Sequence, residues 1–188
     1  MIGARHIRRA MAEHAQQFPD AQVVLHRVPF FLEPEYASMP DDWSEPHEAR
    51  MVRKFGSKEA FERVKVAHRL MPRATEAGLD GEGWSEANLA KRVQSSTMRA
   101  HRLVLWIEET RGWEAAEQCY QALGAAHFVN GSRLNDMAVL RAAAAAAGVE
   151  AEAAEAYLRE RAGEAEVLAA VDRVHSLGIH SIPTLFVN

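Results

Sequence analysis

The chain has 188 residues, of which 48% are hydrophobic and 26% charged, enough for one domain with a substantial core or a domain that carries an insertion. Its formal net charge of −4 gives no electrostatic reason to expect a nucleic-acid partner. No run reaches the roughly 18 apolar residues that a membrane helix requires, and the N-terminal stretch lacks a secretory apolar region, so we expect a cytoplasmic protein.

The chain opens with one predicted helix and one predicted strand. Apolar residues recur at helical spacing over Ile2–Gln17, and Phe18-Pro19-Asp20 ends that helix. Gln22–Phe31 follows as a nearly continuous apolar run, which is typical of a strand covered on both faces. Pro29 cannot donate to a ladder, so it places the end of this strand at an edge or a bend.

Short helices separated by loops are predicted for the next 60 residues. Glu45–Phe55 has Ser44 as its N-cap and Gly56 as its stop. A second helix runs from Ser57 to about Leu70, and Pro72 should end or kink it. Three glycines make residues 77–86 a surface connection.

From Ser95 onward the pattern is almost wholly helical, with glycine or asparagine at the predicted ends. The predicted helices are Ser95–Arg111, Glu114–Val129, Asp136–Ala147 with Asn135 as N-cap, Glu150–Arg161 and Glu164–Leu177. One early and one late β run with helices between them describe an α/β domain with a helical insertion.

The last dozen residues combine a helix end, an Ile-Pro bond and an apolar run. Gly178 ends the helix, and Pro183 belongs at the entry to the strand Thr184–Val187 because it cannot donate to a ladder. An X-Pro bond is cis in only about 5% of cases in folded proteins. Chemistry alone therefore favours a trans proline that opens a strand.

Short segments spread over nearly the whole chain match one known family in collinear order. They are Gly3-Ala4-Arg5, Val28–Pro34, Lys54-Phe55-Gly56, Ser96-Thr97 with Ala100–Leu103 and Trp106, Ala126-His127-Phe128, Asn135–Leu140 and Ile182-Pro183-Thr184. The chain resembles the FrnE-like branch of the DsbA family of thioredoxin-fold oxidoreductases. The resemblance implies an α/β, thioredoxin-like fold that is predominantly helical, with a large helical insertion and an incomplete sheet.

The resemblance also divides the chain and exposes a gap in its sheet. Residues 1–32 and 164–188 would form the thioredoxin-like part, and residues 33–163 the helical insertion. The family's first strand, which ends in Cys-x-x-Cys, would precede Met1-Ile2-Gly3, and its last strand and helix would follow Asn188. The two predicted strands would then lack the partner between them. A shortened gene product, a strand from another chain, or direct pairing of the two would each resolve this.

Two places are predicted by the resemblance to contact substrate. In the family's cis-proline loop, the backbone before proline, here at Ile182 before Pro183, accepts an extended peptide or a glutathione. Thr97 and His101 lie one helical turn apart, and the resemblance implies that their face overhangs the active-site groove. The alternative for His101 is a partly buried side chain bonded to a backbone carbonyl.

Cys119 is the only cysteine, so neither an intrachain disulfide nor a Cys-x-x-Cys dithiol can form within these residues. Its helical setting favours a buried structural thiol over a reactive one. The nine histidines form neither His-Glu-x-x-His nor a Cys/His cluster, so we expect no metal site.

These observations favour a family member that exchanges thiols and disulfides but is inactive as a dithiol enzyme in this form, with no catalytic residue of its own. Its partners would be protein thiols, protein disulfides or peptides, and glutathione is a possible small-molecule ligand. We expect neither nucleic acid nor a membrane as a partner. Two alternatives stay open: a relative of the glutathione-dependent isomerases and kappa-type glutathione transferases, and a non-catalytic peptide-binding module. A homo-oligomer is also left open.

Overall fold

The computed structural model describes residues 2–187 and contains two compact units, each assembled from separate stretches of chain. Within those residues, the first unit comprises Met1–Val24, Ser44–Gln94 and Gly124–Arg133, and the second comprises Leu25–Trp43, Ser95–Leu123 and Leu134–Asn188. The division of the thioredoxin-like part from the insertion after residues 32 and 163 stays a prediction.

Ten α-helices and two short strands make up the regular structure of residues 2–187. The helices are α1 (Ile2–Gln17), α2 (His47–Phe55), α3 (Lys58–Ala67), α4 (Leu70–Glu76), α5 (Glu86–Ala90), α6 (Met98–Arg111), α7 (Trp113–Phe128), α8 (Met137–Ala146), α9 (Ala151–Arg159) and α10 (Glu164–Ser176). The strands β1 (Ser44–Pro46) and β2 (Val93–Ser95) pair as a two-stranded sheet. No helix of the described chain combines the length and apolar character that crossing a membrane requires.

The first unit has a small core around Trp84. This side chain is buried with Leu79 and Leu89, and its ring lies 5.1 Å from that of Phe128. The prediction that residues 77–86 form a surface connection is therefore wrong, because Leu79 and Trp84 are core residues. Glycines at 78 and 83, both with positive φ, turn the chain on either side of Leu79 and allow this inward path.

The second unit has a larger core, built by α6, α7, α8 and α9. Leu103, Ile107, Cys119, Leu140 and Leu158 are fully buried there. The alanines of α8 and α9 let these helices approach closely, since a methyl group adds little width to the interface.

A second cluster of this unit packs α10 against α6. Val167 and Val171 of α10 are buried with Met98 of α6. Phe31 and Tyr36, from the irregular chain that precedes β1, complete the cluster. This packing holds residues 25–43 in place although they contain no α-helix or strand.

The structure corrects the prediction of two core strands. Neither Gln22–Phe31 nor Thr184–Val187 is in a sheet, and β1 with β2 is the only sheet found between residues 2 and 187. Backbone groups become a strand only when a neighbouring strand pairs with them. The expected lack of a ladder partner is what the structure shows for both segments, and neither pairs with the other.

Several predicted helix ends are also corrected. Ser44 belongs to β1, and α2 begins at His47 after Pro46. Pro72 neither ends nor kinks a helix: the helix from Ser57 already stops at Ala67, and Pro72 occupies the first turn of α4, where its missing N–H costs nothing. Asp136, not Asn135, caps α8, by accepting from the N–H of Ala138 at 2.9 Å.

Candidate functional site

The proline loop follows α10 and leads into an exposed final stretch. Gly178 has φ 76° and donates its N–H to the carbonyl of His175 at 2.9 Å, which closes the helix end. The Ile182–Pro183 bond is cis. After the proline, the Thr184 hydroxyl donates back to the carbonyl of Ser181 at 2.9 Å.

The terminal segment, residues 180–187, pairs its backbone with no other segment of the described chain, although within it the Ser181 carbonyl accepts from the Thr184 hydroxyl. Among the described residues, no backbone–backbone hydrogen bond joins this segment to any other. Its large apolar side chains are exposed as well: Ile182 by 49%, Leu185 by 60% and Phe186 by 74%. Unpaired N–H and C=O groups beside exposed apolar side chains form a surface to which an extended chain can add.

His101 lies on α6 and is half-buried. Its ring meets that of Phe31 edge to face, with 5.3 Å between centroids and 89° between planes. Burial lowers the pKa of His101 to about 4, although a hydrogen bond to the backbone of Phe30 opposes the shift. The side chain is therefore neutral near pH 7. This environment matches the alternative of a partly buried histidine bonded to backbone, and substrate contact by His101 stays a prediction.

Thr97 immediately precedes α6, and its carbonyl accepts the N–H of His101 at 3.0 Å. The structure thus keeps the two predicted residues one turn apart and both half-buried. Ring contacts continue from there toward the proline loop, since Phe30 meets His175 edge to face and His175 stacks on His180. The second unit therefore contains Thr97, His101, Ile182 and Pro183. Substrate contact by these four residues stays a prediction.

Cys119 is enclosed in the core of the second unit. Its side chain is 0% exposed, and burial raises the pKa of its thiol to about 12. Nucleophilic exchange requires a thiol that is both accessible and deprotonated. This environment disfavours access and deprotonation alike. The burial predicted for this residue is confirmed.

Sequence reasoning missed a polar cluster of the first unit, formed by His47, Arg92 and Gln94. These side chains are joined by hydrogen bonds of 3.0 Å. His47 and Arg92 are 45 residues apart, and no spacing pattern marks them in the sequence. In the described part of the chain, no group of three or more His, Cys, Asp or Glu side chains is arranged to hold a metal ion.

Comparison with known families decides the identity. The family model described as DSBA-like thioredoxin domain matches residues 2–188. The chain belongs to this family. A comparison with curated proteins gives no match. The predicted DsbA-family membership and the helix-rich, thioredoxin-like fold class are both confirmed.

Membership places this DSBA-like chain in a family of thiol-disulfide oxidoreductases that act on protein thiols. The family's chemistry requires a reactive thiolate, whereas the one thiol here is buried in α7.

Proposed function

We propose that this DSBA-like chain binds an extended segment of a protein thiol or disulfide partner along the terminal segment, and that its 188 residues alone do not turn over as a dithiol oxidoreductase. The observation that carries the binding half is that residues 180–187 make no backbone–backbone hydrogen bond within the described chain. The observation that carries the second half is the burial of Cys119.

Binding along the terminal segment would use main-chain hydrogen bonds for affinity. An added strand pairs with successive N–H and C=O groups, and exposed side chains such as Leu185 and Phe186 would contact alternate residues of the partner. Main-chain recognition is tolerant of sequence, which suits a family that acts on protein thiols. The apolar side chains would favour partners that expose apolar segments, as unfolded proteins do.

The FrnE-like branch is the subtype that we propose within the family. It is supported by the collinear match that includes Val28–Pro34, Ala100–Leu103 and Ile182-Pro183-Thr184. The same match supports Ile182, Pro183, Thr97 and His101 as the residues nearest the bound partner.

The binding test uses reduced, carboxymethylated insulin B chain, labelled for fluorescence anisotropy. Phe186→Asp should weaken binding about tenfold or more, because it places a charge on the apolar surface of the terminal segment. Phe18→Asp is the matched control: Phe18 is also an exposed phenylalanine, at 55%, but belongs to the first unit. Equal effects of the two variants would contradict binding along residues 180–187.

Glutathione is tested in the same assay. If glutathione competes with the peptide and binds by itself, the glutathione-dependent relatives become the better description of this chain. If it does not compete, and binding is unchanged by Cys119→Ser and by reductant, a peptide-binding role is supported.

The turnover test is insulin reduction with dithiothreitol. We expect the 188-residue chain to leave the rate at that of dithiothreitol alone, and Cys119→Ser to change nothing. Acceleration by the chain, lost in Cys119→Ser, would show that the buried thiol opens to solvent and reacts.

A further inference from the structure

The first unit contains a partly open cavity of about 350 Å³ that the proposed function does not use. Helices α2, α3, α4 and α5 supply most of its wall. Phe61, Val66, Met71 and Leu89 give it a largely apolar lining. Its volume is at the lower end of the range for small-molecule sites and has room for roughly twelve groups the size of water.

Most of the cations that line this cavity are already paired with carboxylates. Lys58 lies 2.9 Å from Glu48, and Lys65 lies 2.7 Å from Glu62. Arg69 lies 3.4 Å from Glu76. Lys65 also lies 3.7 Å from Glu86, a further lining carboxylate, so these three cations carry no excess positive charge on their part of the wall.

Arg92 is the exception among the lining cations. Its Nε donates to the carbonyl of Leu89 at 2.9 Å, and its Nη2 donates to Nε2 of His47 at 3.0 Å. Within the described residues no carboxylate lies in ion-pair range of this guanidinium. Burial, with a smaller contribution from Arg50, lowers the pKa of Arg92 to about 10, so it remains a cation near pH 7.

His47 holds Arg92 without neutralising it. Because Arg92 can only donate, Nε2 of His47 must accept, and the ring proton must be on Nδ1. The side-chain nitrogen of Gln94 lies 3.0 Å from Nδ1, and this amide accepts from Nδ1–H when its oxygen and nitrogen are exchanged, since the two atoms are assigned from the hydrogen-bond network. Burial lowers the pKa of His47 to about 4, and the nearby Arg92 adds to the shift. The cluster therefore carries one uncompensated positive charge.

The donors that Arg92 has left suit a carboxylate. A guanidinium has five N–H groups, of which one on Nε and one on Nη2 are used. The remaining three are on the two terminal nitrogens, the edge that binds a carboxylate through two parallel hydrogen bonds. We propose that this cavity binds a small carboxylic acid with an apolar body, its carboxylate on Arg92 and its body against Phe61, Val66 and Met71.

Isothermal titration with decanoate tests the proposal, since decanoate matches the volume of the cavity. Decanol, which has the same chain but no charge, should bind at least tenfold more weakly. Arg92→Gln should weaken decanoate about tenfold or more and leave decanol unchanged. Absence of decanoate binding, equal binding of the two probes, or an unchanged affinity in a folded Arg92→Gln protein would each overturn the proposal.

A second pair of variants tests carboxylate binding in the cavity if Arg92→Gln does not fold. Val66 lines the cavity, yet its side chain is 77% exposed, so a charge at this position should not disturb the core. Val66→Asp should weaken decanoate several-fold through repulsion, whereas Val66→Lys should not weaken it. Equal effects of the two variants would overturn the proposal. Phe186→Asp should leave decanoate binding unchanged, and a loss there would place the acid on the terminal segment instead.

Discussion

Arg102 provides the sharpest test of how the second unit is held together. This side chain is 1% exposed, yet among the described residues no carboxylate lies within ion-pair distance of its guanidinium. Its Nε donates to the carbonyl of Ala162 at 2.5 Å, and its Nη2 donates to those of Tyr157 and Leu158 at 3.2 and 3.1 Å. Tyr157 and Leu158 lie in the last turn of α9, where carbonyls lack the partner that the helix interior provides; the carbonyl of Leu158 also accepts the N–H of Arg161 at 3.3 Å. Arg102 therefore caps the C-terminus of α9 from the neighbouring helix α6.

Replacing Arg102 by methionine keeps a long apolar side chain and removes all three bonds. The bond to Leu158 is the buried one, but that carbonyl keeps the N–H of Arg161 as a partner, so the loss of the bond costs about 0.5–1.5 kcal/mol. The other two are partly buried, so water reaches them and each loss costs about 0.5–1.5 kcal/mol. The expected fall in the free energy of unfolding is about 1.5–4.5 kcal/mol, a large share of the 5–15 kcal/mol typical of a domain.

Urea unfolding followed by circular dichroism at 222 nm measures this change. Arg111→Met is the matched control, because Arg111 ends the same helix and is exposed, so its loss should shift the free energy of unfolding by no more than about 0.5 kcal/mol. A loss below about 1 kcal/mol for Arg102→Met would refute the reasoning, since it would mean that the carbonyls of α9 do not depend on the guanidinium.

Two further predictions concern buried titratable groups. Iodoacetamide at pH 8 should label Cys119 at least 100-fold more slowly in the native protein than in urea, because burial raises the pKa of the thiol; labelling at the unfolded rate would contradict this. Stability should also fall with acid. In the unfolded chain His101 has a pKa near 6.5, whereas in the folded protein its pKa is about 4. Between these two values the unfolded state binds the proton more readily, so the free energy of unfolding decreases as the pH falls from about 6.5 to about 4. The urea midpoint of unfolding, measured at pH 7 and at pH 5, should fall less between these two values in His101→Gln than in the unmodified protein. The exposed His180→Gln is the control and should show the same fall as the unmodified protein; an equal fall in both variants would contradict the assignment to His101.

The helix pattern was predictable because its signals are local. The interval Ile2–Gln17 is found as predicted, and the end of α2 at Gly56 follows from a left-handed residue with φ 83°. Ser57 caps α3 by accepting the N–H of Ala60 at 3.1 Å, as a serine at that position should. Each of these outcomes depends on residues within one turn, which the sequence places together by itself.

The cap of α8 shows where local reasoning stops. Asn135 has the right side chain for an N-cap, but its amide donates to the carbonyls of Asp41 and Trp43 at 2.9 and 2.8 Å. Those two bonds satisfy backbone groups more than 90 residues away, and the neighbouring Asp136 takes the cap instead. A side chain with several equivalent partners goes where the tertiary structure offers the most hydrogen bonds.

The sequence by itself indicated the family, most of the helices and a proline-containing loop after the last of them, since motifs and periodicity are properties of neighbouring residues. Only the tertiary structure decided that Gln22–Phe31 and Thr184–Val187 are not strands, because a strand exists through its partner and not through its own residues. It also decided that Arg92 meets His47 beside an apolar cavity. A charge left without a carboxylate is a property of everything that packs around it, and no single stretch of sequence contains that information.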